Sequence, residues 1–269
     1  MPAFVDEPVA DLPATAFRDV VVVGGGCYGT FYSGQLAAAL ARGKITARSI
    51  VLVDRNPDCQ AARDAKRQSP FRLVIADWDH YLDGFLDHPP PEVGDPDDAI
   101  VPSPLMPHLM AEWLLGVAGR LRPDREVSLV PVDQPVGTPY DVHPPGANRF
   151  VSFADWLCPT HCIEPHVCPI TGGPRTWEMS DALTAYVARV SRTRPMAGPA
   201  LFVTRHRAHG VGMFDVSEAR SARSLLVGAL GEPGQVELLV ATISSCHGAV
   251  SCLRVGPPGS SAGLYLGHQ

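Results

Sequence analysis

The chain has 269 residues, 45% of them hydrophobic and 19% charged, and its formal net charge is −6. These values are ordinary for a globular protein, and the length is sufficient to bury a sizeable core. The negative charge offers no basic surface for nucleic acid, and no apolar run approaches the roughly 20 residues that span a bilayer. The first 17 residues are acidic and contain proline, unlike a secretion signal. We therefore expect a cytoplasmic protein that binds neither nucleic acid nor membrane.

The chain opens with a strand, a glycine-rich turn and a helix. Residues 18–23 form an apolar, β-branched run of the kind that is buried on both faces of a sheet. The turn GGGCYG occupies residues 24–29 and leads into a predicted helix over 30–42. A second predicted strand over 49–53 ends in Asp54. This order predicts a βαβ unit with parallel strands.

Gly24, Gly26 and Gly29 have the G-x-G-x-x-G spacing between a strand and a helix. Over residues 18–55 the sequence resembles the Rossmann dinucleotide-binding superfamily. The resemblance implies that Gly24 makes the tight turn, that Gly26 admits a pyrophosphate, and that Gly29 lets helix and strand pack closely. It also implies that Asp54 accepts hydrogen bonds from ribose hydroxyls, which favours NAD or FAD over NADP.

Two other classes of enzyme carry a glycine-rich turn after the first strand. Methyltransferases resemble D-x-G-x-G there, whereas Val23 occupies the acidic position in this chain. Adenylating enzymes of the ubiquitin-activating type combine the turn with an acid and a cysteine-bound zinc, but their paired C-x-x-C motifs are missing here. These two classes remain weaker alternatives, and a turn that binds no nucleotide also remains open.

Strands and helices alternate along the remainder of the chain, which predicts an α/β, Rossmann-like fold with a mostly parallel sheet. The predicted helices are 58–68, 107–121, 180–191 and 217–230, the predicted strands are 71–76, 99–101, 126–132, 200–204 and 236–244, and the polar segments 77–80 and 205–209 are predicted loops. The predicted organisation is an N-terminal tail 1–17, a Rossmann-like domain 18–132, an insertion 133–179 rich in Cys, Pro and His, a C-terminal α/β part 180–256 that completes the same domain, and a flexible tail 257–269.

The insertion contains three cysteines within eleven residues, in the segment CPTHCIEPHVCP at 158–169. Its three prolines exclude a helix or a central strand, so we expect a stiff loop. Thiolates are soft ligands, and Cys158, Cys162 and Cys168 can converge on one metal or cluster. In a reducing compartment, clustered cysteines are more often metal-binding or catalytic than disulfide-paired. The C-x3-C-x5-C pattern therefore predicts a metal site that lacks a fourth ligand.

Cys246 is the predicted fourth ligand because it follows a strand, and sites in open α/β sheets collect beyond the carboxyl ends of strands. Cys252 and Cys27 are the alternatives, and a helix N-terminus would favour the thiolate of Cys27. Three thiolates close in sequence and one remote, with proline after a ligand, are typical of a [4Fe–4S] cluster. Zinc, with His161 or His166 among its ligands, is the alternative.

These features predict a cytoplasmic iron–sulfur redox protein that transfers electrons or senses redox state near a bound nucleotide. Its expected partners are NAD or FAD and an electron-transfer protein, so it could be a linked oxidoreductase, although no catalytic acid/base pair stands out. A non-enzymatic ligand-binding module or an NAD-dependent dehydrogenase, each with structural zinc, are the alternatives. Cys246 and His247 are not expected to act as nucleophile and base, because adjacent residues in extended chain point to opposite faces.

Overall fold

The structure is a computed structural model that describes residues 14–64, 71–146, 148–159 and 162–260. These residues contain both helices and strands along their whole length, which confirms the coarse prediction of a mixed α/β fold. The strands form two mixed six-stranded sheets, however, so the prediction of a mostly parallel sheet is wrong for the molecule as a whole. Among the described residues, no helix has both the length and the apolar character needed to cross a membrane.

The first half of the chain alternates strands and helices up to a fifth strand. Its elements are β1 (Thr15–Val23), α1 (Cys27–Ala41), β2 (Ile45–Asp54), α2 (Gln60–Asp64), β3 (Phe71–Ile75), α3 (Trp78–Leu86), β4 (Ala99–Val101), α4 (Leu109–Leu121) and β5 (Val127–Val130). The second half contains more strands than helices. Its elements are β6 (Tyr140–Val142), β7 (Arg149–Ser152), α5 (Met179–Val190), β8 (Met196–Val203), β9 (Arg205–Ala208), β10 (Val211–Asp215), α6 (Val216–Gly231), β11 (Val236–Ile243) and β12 (His247–Val255).

The first sheet has the strand order β3-β2-β1-β4-β10-β9. Its first four strands are parallel, and β10 and β9 continue it in the antiparallel sense. Val20 to Val23 of β1 are all buried, because side chains pack on both faces of this sheet. Alternate residues of the run face α1 on one side and α3 and α4 on the other.

The second sheet has the order β6-β7-β12-β11-β8, with β5 also paired to β12. β8 runs parallel to β11, and the other pairs are antiparallel. β7 takes the first half of one edge of β12 and β5 takes the second half. Helices α3, α4 and α6 pack between the two sheets, and α5 covers the outer face of the second sheet. The layers are therefore α1, first sheet, three helices, second sheet and α5.

Several segments differ from the sequence-based expectation. β1 already occupies the last residues of the predicted tail 1–17, of which residues 1–13 lie outside the described part. The polar segment 77–80 contains the first turn of α3 rather than an exposed loop, and 205–209 contains β9. The predicted insertion contributes β6 and β7 to the second sheet.

The chain passes between the sheets more often than the predicted organisation implies. β5, from the predicted unit 18–132, pairs with β12, whereas β9 and β10, from the predicted part 180–256, join the first sheet. At the C-terminus, Gly259 N donates to Asp124 O at 3.1 Å, so the start of the predicted flexible tail is held against the body. Residues 261–269 lie outside the described part.

Candidate functional site

The cysteine loop is the segment between β7 and α5, residues 153–178. It is fixed to the turn between β11 and β12, which we call the β11–β12 turn (residues 244–246). At the start of the loop, Phe153 N donates to Cys246 O at 2.8 Å, and just after its end Met179 N donates to Ser245 O at 3.0 Å. Cys246 therefore lies where the sequence predicted, directly beyond the carboxyl end of β11.

A buried carboxylate links the middle of the cysteine loop to the same turn. Glu164 Oε1 accepts a hydrogen bond from Ser244 Oγ at 2.5 Å, and Oε2 accepts one from Ser245 N at 2.9 Å. His247 Nδ1 lies 3.6 Å from Oε1, and the Glu164 side chain is only 8% exposed. The φ of Glu164 is +53°, in the left-handed region that few non-glycine residues adopt. Hydrogen-bond partners are what make such a buried carboxylate tolerable, so this contact determines where the loop lies.

Electrostatic interactions connect the four predicted thiol ligands. Burial raises the pKa of Cys158, and the nearby Cys162 and Cys168 thiols raise it further. Burial raises the pKa of Cys246 to about 11; Trp177 opposes this effect, and Cys162 adds to it. Cys162 thus lies within electrostatic reach of both Cys158, on the loop, and Cys246, on the turn.

Hydrogen-bond donors face the sulfurs of Cys162 and Cys246. Glu164 N donates to Cys162 Sγ at 3.4 Å. Trp177 Nε1 donates to Cys246 Sγ at 3.3 Å, and its ring stacks on Phe153 with 6.0 Å between centroids. At Cys246 the Trp177 donor favours a charged sulfur, but burial outweighs it and leaves the pKa raised.

Cys158 and Cys168 have hydrogen-bond donors nearby as well. Backbone N–H groups of Thr171 and Ile170 lower the pKa of the Cys168 thiol. Trp156 lies close enough to Cys158 to lower its pKa in turn, although burial outweighs this effect. The Trp156 Nε1 is shielded from solvent and has no partner within hydrogen-bonding distance among the described residues.

These cysteines do not form a finished ion site. Across residues 14–64, 71–146, 148–159 and 162–260, no group of three or more His, Cys, Asp or Glu side chains could hold a metal ion as arranged. His166 is exposed, and His161, the other histidine expected near a zinc ion, lies outside the described residues. The predicted ligands therefore lie in one region of the fold, but their side chains are not arranged to coordinate a single ion.

The alternative fourth ligands lie elsewhere. Cys252 is 1% exposed in the core of the second sheet, and burial raises its pKa to about 12. Six residues of extended strand put it about 20 Å along β12 from Cys246. Cys27 is exposed at the start of α1, and Cys59 is buried against Gly25. All seven cysteines are free thiols, and Cys246 is the remote cysteine that meets the cysteine loop.

The glycine turn lies at the carboxyl end of β1, an interior strand of the first sheet. Gly24 has φ +90°, a conformation that glycine adopts without strain. A Cβ at Gly29 would overlap the Gly24 carbonyl oxygen, so this position requires glycine. A Cβ at Gly26 would meet nothing within 4 Å, so the backbone there can be approached from outside. The N-terminus of α1 has no side-chain cap and no acidic residue in its first turn.

Asp54 has a structural task within this turn. Its Oδ2 accepts a hydrogen bond from Gly25 N at 2.5 Å and its Oδ1 accepts one from Asn56 N at 2.7 Å. The residue is only 9% exposed. Both carboxylate oxygens therefore already accept hydrogen bonds from backbone N–H groups. The resemblance implied a contact of Asp54 with ribose hydroxyls and did not predict this structural role.

The β9–β10 hairpin contacts α1 and interacts electrostatically with the cysteine loop. Burial lowers the pKa of His206, and Glu164 of the cysteine loop opposes that shift. At the other end of the strand's hairpin, Gln35 Nε2 of α1 donates to His209 O at 2.9 Å. The glycine turn and the cysteine loop thus belong to different sheets, and the β9–β10 hairpin contacts α1 of the first.

One comparison with known proteins gives a match. A family model described as AF_1314_C, "Uncharacterized protein, C-terminal domain", matches residues 110–256, more than half of the chain. The chain belongs to this family. The AF_1314_C region extends from α4 to the end of β12 and contains the whole cysteine loop and Cys246, whereas the glycine turn precedes it. No curated protein and no solved structure matches the chain.

Sequence reasoning missed the residues that organise the AF_1314_C site. Glu164 stood in the motif only as a spacer between cysteines, yet its carboxylate reaches Ser244 and Ser245. Nothing in the sequence indicated that the Trp177 indole donates a hydrogen bond to Cys246. The one available signal was an acidic residue between two of the clustered cysteines, because such a charge needs buried partners if the loop folds inward.

Proposed function

We propose that this AF_1314_C protein binds a [4Fe–4S] cluster through Cys158, Cys162, Cys168 and Cys246 and uses it to transfer single electrons or to sense redox state. The observation that carries the proposal is the Glu164 contact, which brings the three-cysteine loop to the β11–β12 turn. Three thiols close in sequence and one remote thiol are a frequent ligand pattern for such clusters. Each thiolate binds a different iron, so the ligands must surround a volume rather than meet at one ion.

The electrostatics of the loop are consistent with thiols that become thiolates only when they bind metal. In the absence of metal, burial keeps Cys246 protonated at neutral pH, since its pKa is about 11. Binding to metal deprotonates a thiol outright. The N–H groups of Glu164 and Trp177 then lie where they stabilise cluster-bound sulfur and raise the reduction potential. The same protonated thiol argues against Cys246 as an activated nucleophile.

The exposed position of Cys158 fits exchange of electrons with a protein partner. A reducing compartment such as the cytoplasm would keep the thiols available for the cluster. We assign no catalytic residue.

A second candidate function is the binding of NAD or FAD at the glycine turn. The parallel order β3-β2-β1-β4, with the turn directly after β1, matches half of a Rossmann-like fold. The uncapped N-terminus of α1 and the open space at Gly26 suit a pyrophosphate, which accepts from backbone N–H groups there. Asp54 would serve first as the acceptor for Gly25 N and would reach ribose hydroxyls only through its remaining lone pairs.

Metal and sulfide analysis tests the first proposal. Protein purified or reconstituted without oxygen should be brown and contain about four irons and four sulfides per chain. The Cys246→Ala variant should lose most of this iron, whereas Cys252→Ala, a core substitution in the same strand pair, should retain it despite lower stability. Colourless protein with one equivalent of zinc and no sulfide would contradict the cluster and favour the structural-zinc alternative.

Titration with NADH, NADPH and FAD tests the second. Gly26→Ala adds a methyl group that the fold accommodates but that projects toward the pyrophosphate, so nucleotide affinity should fall while stability is kept. Gly34→Ala, on the exposed face of α1, is the matched control and should bind normally. Failure of the wild-type protein to bind any of the three nucleotides would remove this candidate and leave the cluster proposal untouched.

A further inference from the structure

The cysteine loop exposes apolar side chains to solvent. Leu157 is 94% exposed, and Ile163, Val167 and Ile170 are exposed as well. They are four of the thirteen exposed large hydrophobic side chains in the described part of the chain, although the loop is a short part of it. Single exposed apolar residues are ordinary, whereas a group of them marks an interaction surface. We call these four side chains the loop surface.

The loop surface lies on the outer side of the predicted ligands. Each cysteine of the loop has one of the four apolar residues as its direct neighbour in the chain, in the pairs Leu157–Cys158, Cys162–Ile163 and Val167–Cys168. Adjacent side chains of an extended chain point to opposite sides, so thiols that turn inward place these neighbours outward. Burial agrees with this at two of the pairs, because Cys162 and Cys168 are half-buried.

Backbone contacts hold the part of the loop that carries two of these apolar side chains. Residues 166–175 form a short hairpin, in which Arg175 N donates to His166 O at 2.7 Å and Cys168 N donates to Gly173 O at 2.9 Å. A surface that is already ordered loses little conformational entropy when a partner binds. The hairpin therefore suits brief contacts that form and separate quickly.

The charges of the loop indicate the sign of the partner. Residues 153–178 contain three acidic side chains and one basic side chain, Arg175. Arg175 pairs with Glu178, which leaves Asp155 and Glu164 without a Lys or Arg partner in the described part of the chain. Four thiolates also make a bound cluster negative, because their charge exceeds that of the iron–sulfur core. A basic partner is therefore attracted to this side of the molecule.

We propose that the loop surface docks a small, basic electron-transfer protein whose cofactor opens onto an apolar patch ringed by Lys or Arg. The inference rests on the proposed cluster, for which it names the class of partner. Apolar contact over the thiols brings the partner's cofactor to the exposed Cys158. One electron then leaves the reduced cluster and enters the oxidised one-electron cofactor, while no bond forms and no proton moves. A surface of four side chains matches a weak encounter that buries less than about 1,200 Å².

Electron transfer to cytochrome c, a small basic haem protein, tests the surface. The cluster-loaded full chain is reduced with dithionite, freed of excess reductant and mixed with ferricytochrome c without oxygen, and reduction of the ferric haem is followed by stopped-flow absorbance. The second-order rate constant should fall at least about tenfold between about 20 and 300 mM salt. Asp155→Lys, which reverses one charge of the loop, should also lower it at low salt.

Two double variants separate docking from the cluster itself. Leu157→Gln with Val167→Thr removes apolar contact at nearly constant volume and should lower the rate constant with cytochrome c at least about tenfold. Leu105→Gln with Val93→Thr makes the same changes at exposed positions on either side of β4 and should stay within about twofold of wild type. Ferricyanide is a small oxidant that needs no docking surface, so it should oxidise all three proteins at the same rate.

Three results would overturn the docking surface in protein that contains iron and sulfide. One is an equal rate with cytochrome c for the loop variant and the control variant. Another is an equal loss with ferricyanide, because the substitutions would then act on the cluster. The third is a wild-type dimer that the loop variant dissociates, because a second copy would then occupy the surface. Protein without iron and sulfide would instead remove the cluster proposal, and this inference with it.

Discussion

The glycine turn follows β1 of the first sheet and the cysteine loop follows β7 of the second, but the two segments are held by contacts of opposite kinds. Asp54 binds the N–H groups of Gly25 and Asn56, which are 29 and 2 residues away along the chain. Glu164 binds Ser244 and Ser245, which are 80 and 81 residues away. The turn is therefore specified by one βαβ unit, whereas the arrangement of the thiols exists only once the second sheet has formed.

This difference has a consequence for ligand binding. A site built from local contacts is formed as soon as its unit folds, and its ligand meets a prepared surface. A site built from distant contacts gains stability from its ligand, because metal binding and folding are then linked. We expect substitutions at the turn to act on the fold itself, and substitutions in the loop to act on metal retention as much as on stability.

The largest effect is expected at Gly29. Gly29→Ala places a methyl group on the Gly24 carbonyl oxygen, and neither backbone can move without breaking the contact of α1 with the sheet. The free energy of unfolding should fall by more than about 4 kcal/mol, or the chain should not fold. Gly34→Ala in the same helix is unobstructed and should stabilise by about 0.5–1 kcal/mol. Urea denaturation measures both, and a loss below 1 kcal/mol at Gly29 would contradict the local account of the turn.

The long-range contact is broken by Glu164→Ala. This change leaves Ser245 N and Ser244 Oγ without their acceptor, and the free energy of unfolding should fall by about 2–3 kcal/mol. Iron content after reconstitution should fall in parallel, because Cys162 is no longer brought to Cys246. Asp155→Ala, at an exposed acid of the same loop, should change stability by less than about 0.5 kcal/mol. Unchanged iron content in the Glu164 variant would show that the thiols converge without this carboxylate.

The same contrast explains what the sequence predicted well. The buried strand 18–23, the glycine spacing and the helix after it depend on residues that are close in sequence, and the structure has β1 and α1 there. Gly29 was assigned a steric role that the overlap with Gly24 bears out. Periodicity also placed the helices α4, α5 and α6 within a few residues.

What the sequence did not predict depends on pairing between distant strands. The strands β6, β7 and β9 have only three or four residues each, too few for an alternating pattern to be recognised, so their partners decide their conformation. β12 was missed although six of its nine residues are buried, because its beginning at His247 and Gly248 resembles a loop. Proximity of Cys246 to the cysteine loop was predicted from a general rule on strand ends, but the carboxylate that secures it was not.

A hundredfold effect is expected in thiol reactivity of the metal-free protein. A raised pKa means less thiolate at any given pH, so Cys246, with a pKa of about 11, should be almost entirely protonated at pH 8. The N–H groups at Cys168 lower the pKa of that thiol and act in the opposite sense. At pH 8, alkylation of Cys168 should be at least about 100-fold faster than that of Cys246. Peptide mass spectrometry across pH 7–11 follows each cysteine, with exposed Cys27 of the glycine turn as reference; equal rates would mean that burial does not govern the loop thiols.

The smallest effect is expected from the indole N–H that meets Cys246. Trp177→Phe keeps the stacking on Phe153 but removes the donor to the sulfur, so the alkylation midpoint of Cys246 should move to higher pH. Stability should change by less than about 1 kcal/mol, since a single weak hydrogen bond is lost. Trp78→Phe makes the same change in the first sheet, where the indole donates to Val53 O at 3.1 Å, and should leave the Cys246 midpoint where it was. If Trp78→Phe shifts that midpoint as much as Trp177→Phe, the two regions are coupled through the fold and the separation between local turn and long-range loop does not hold.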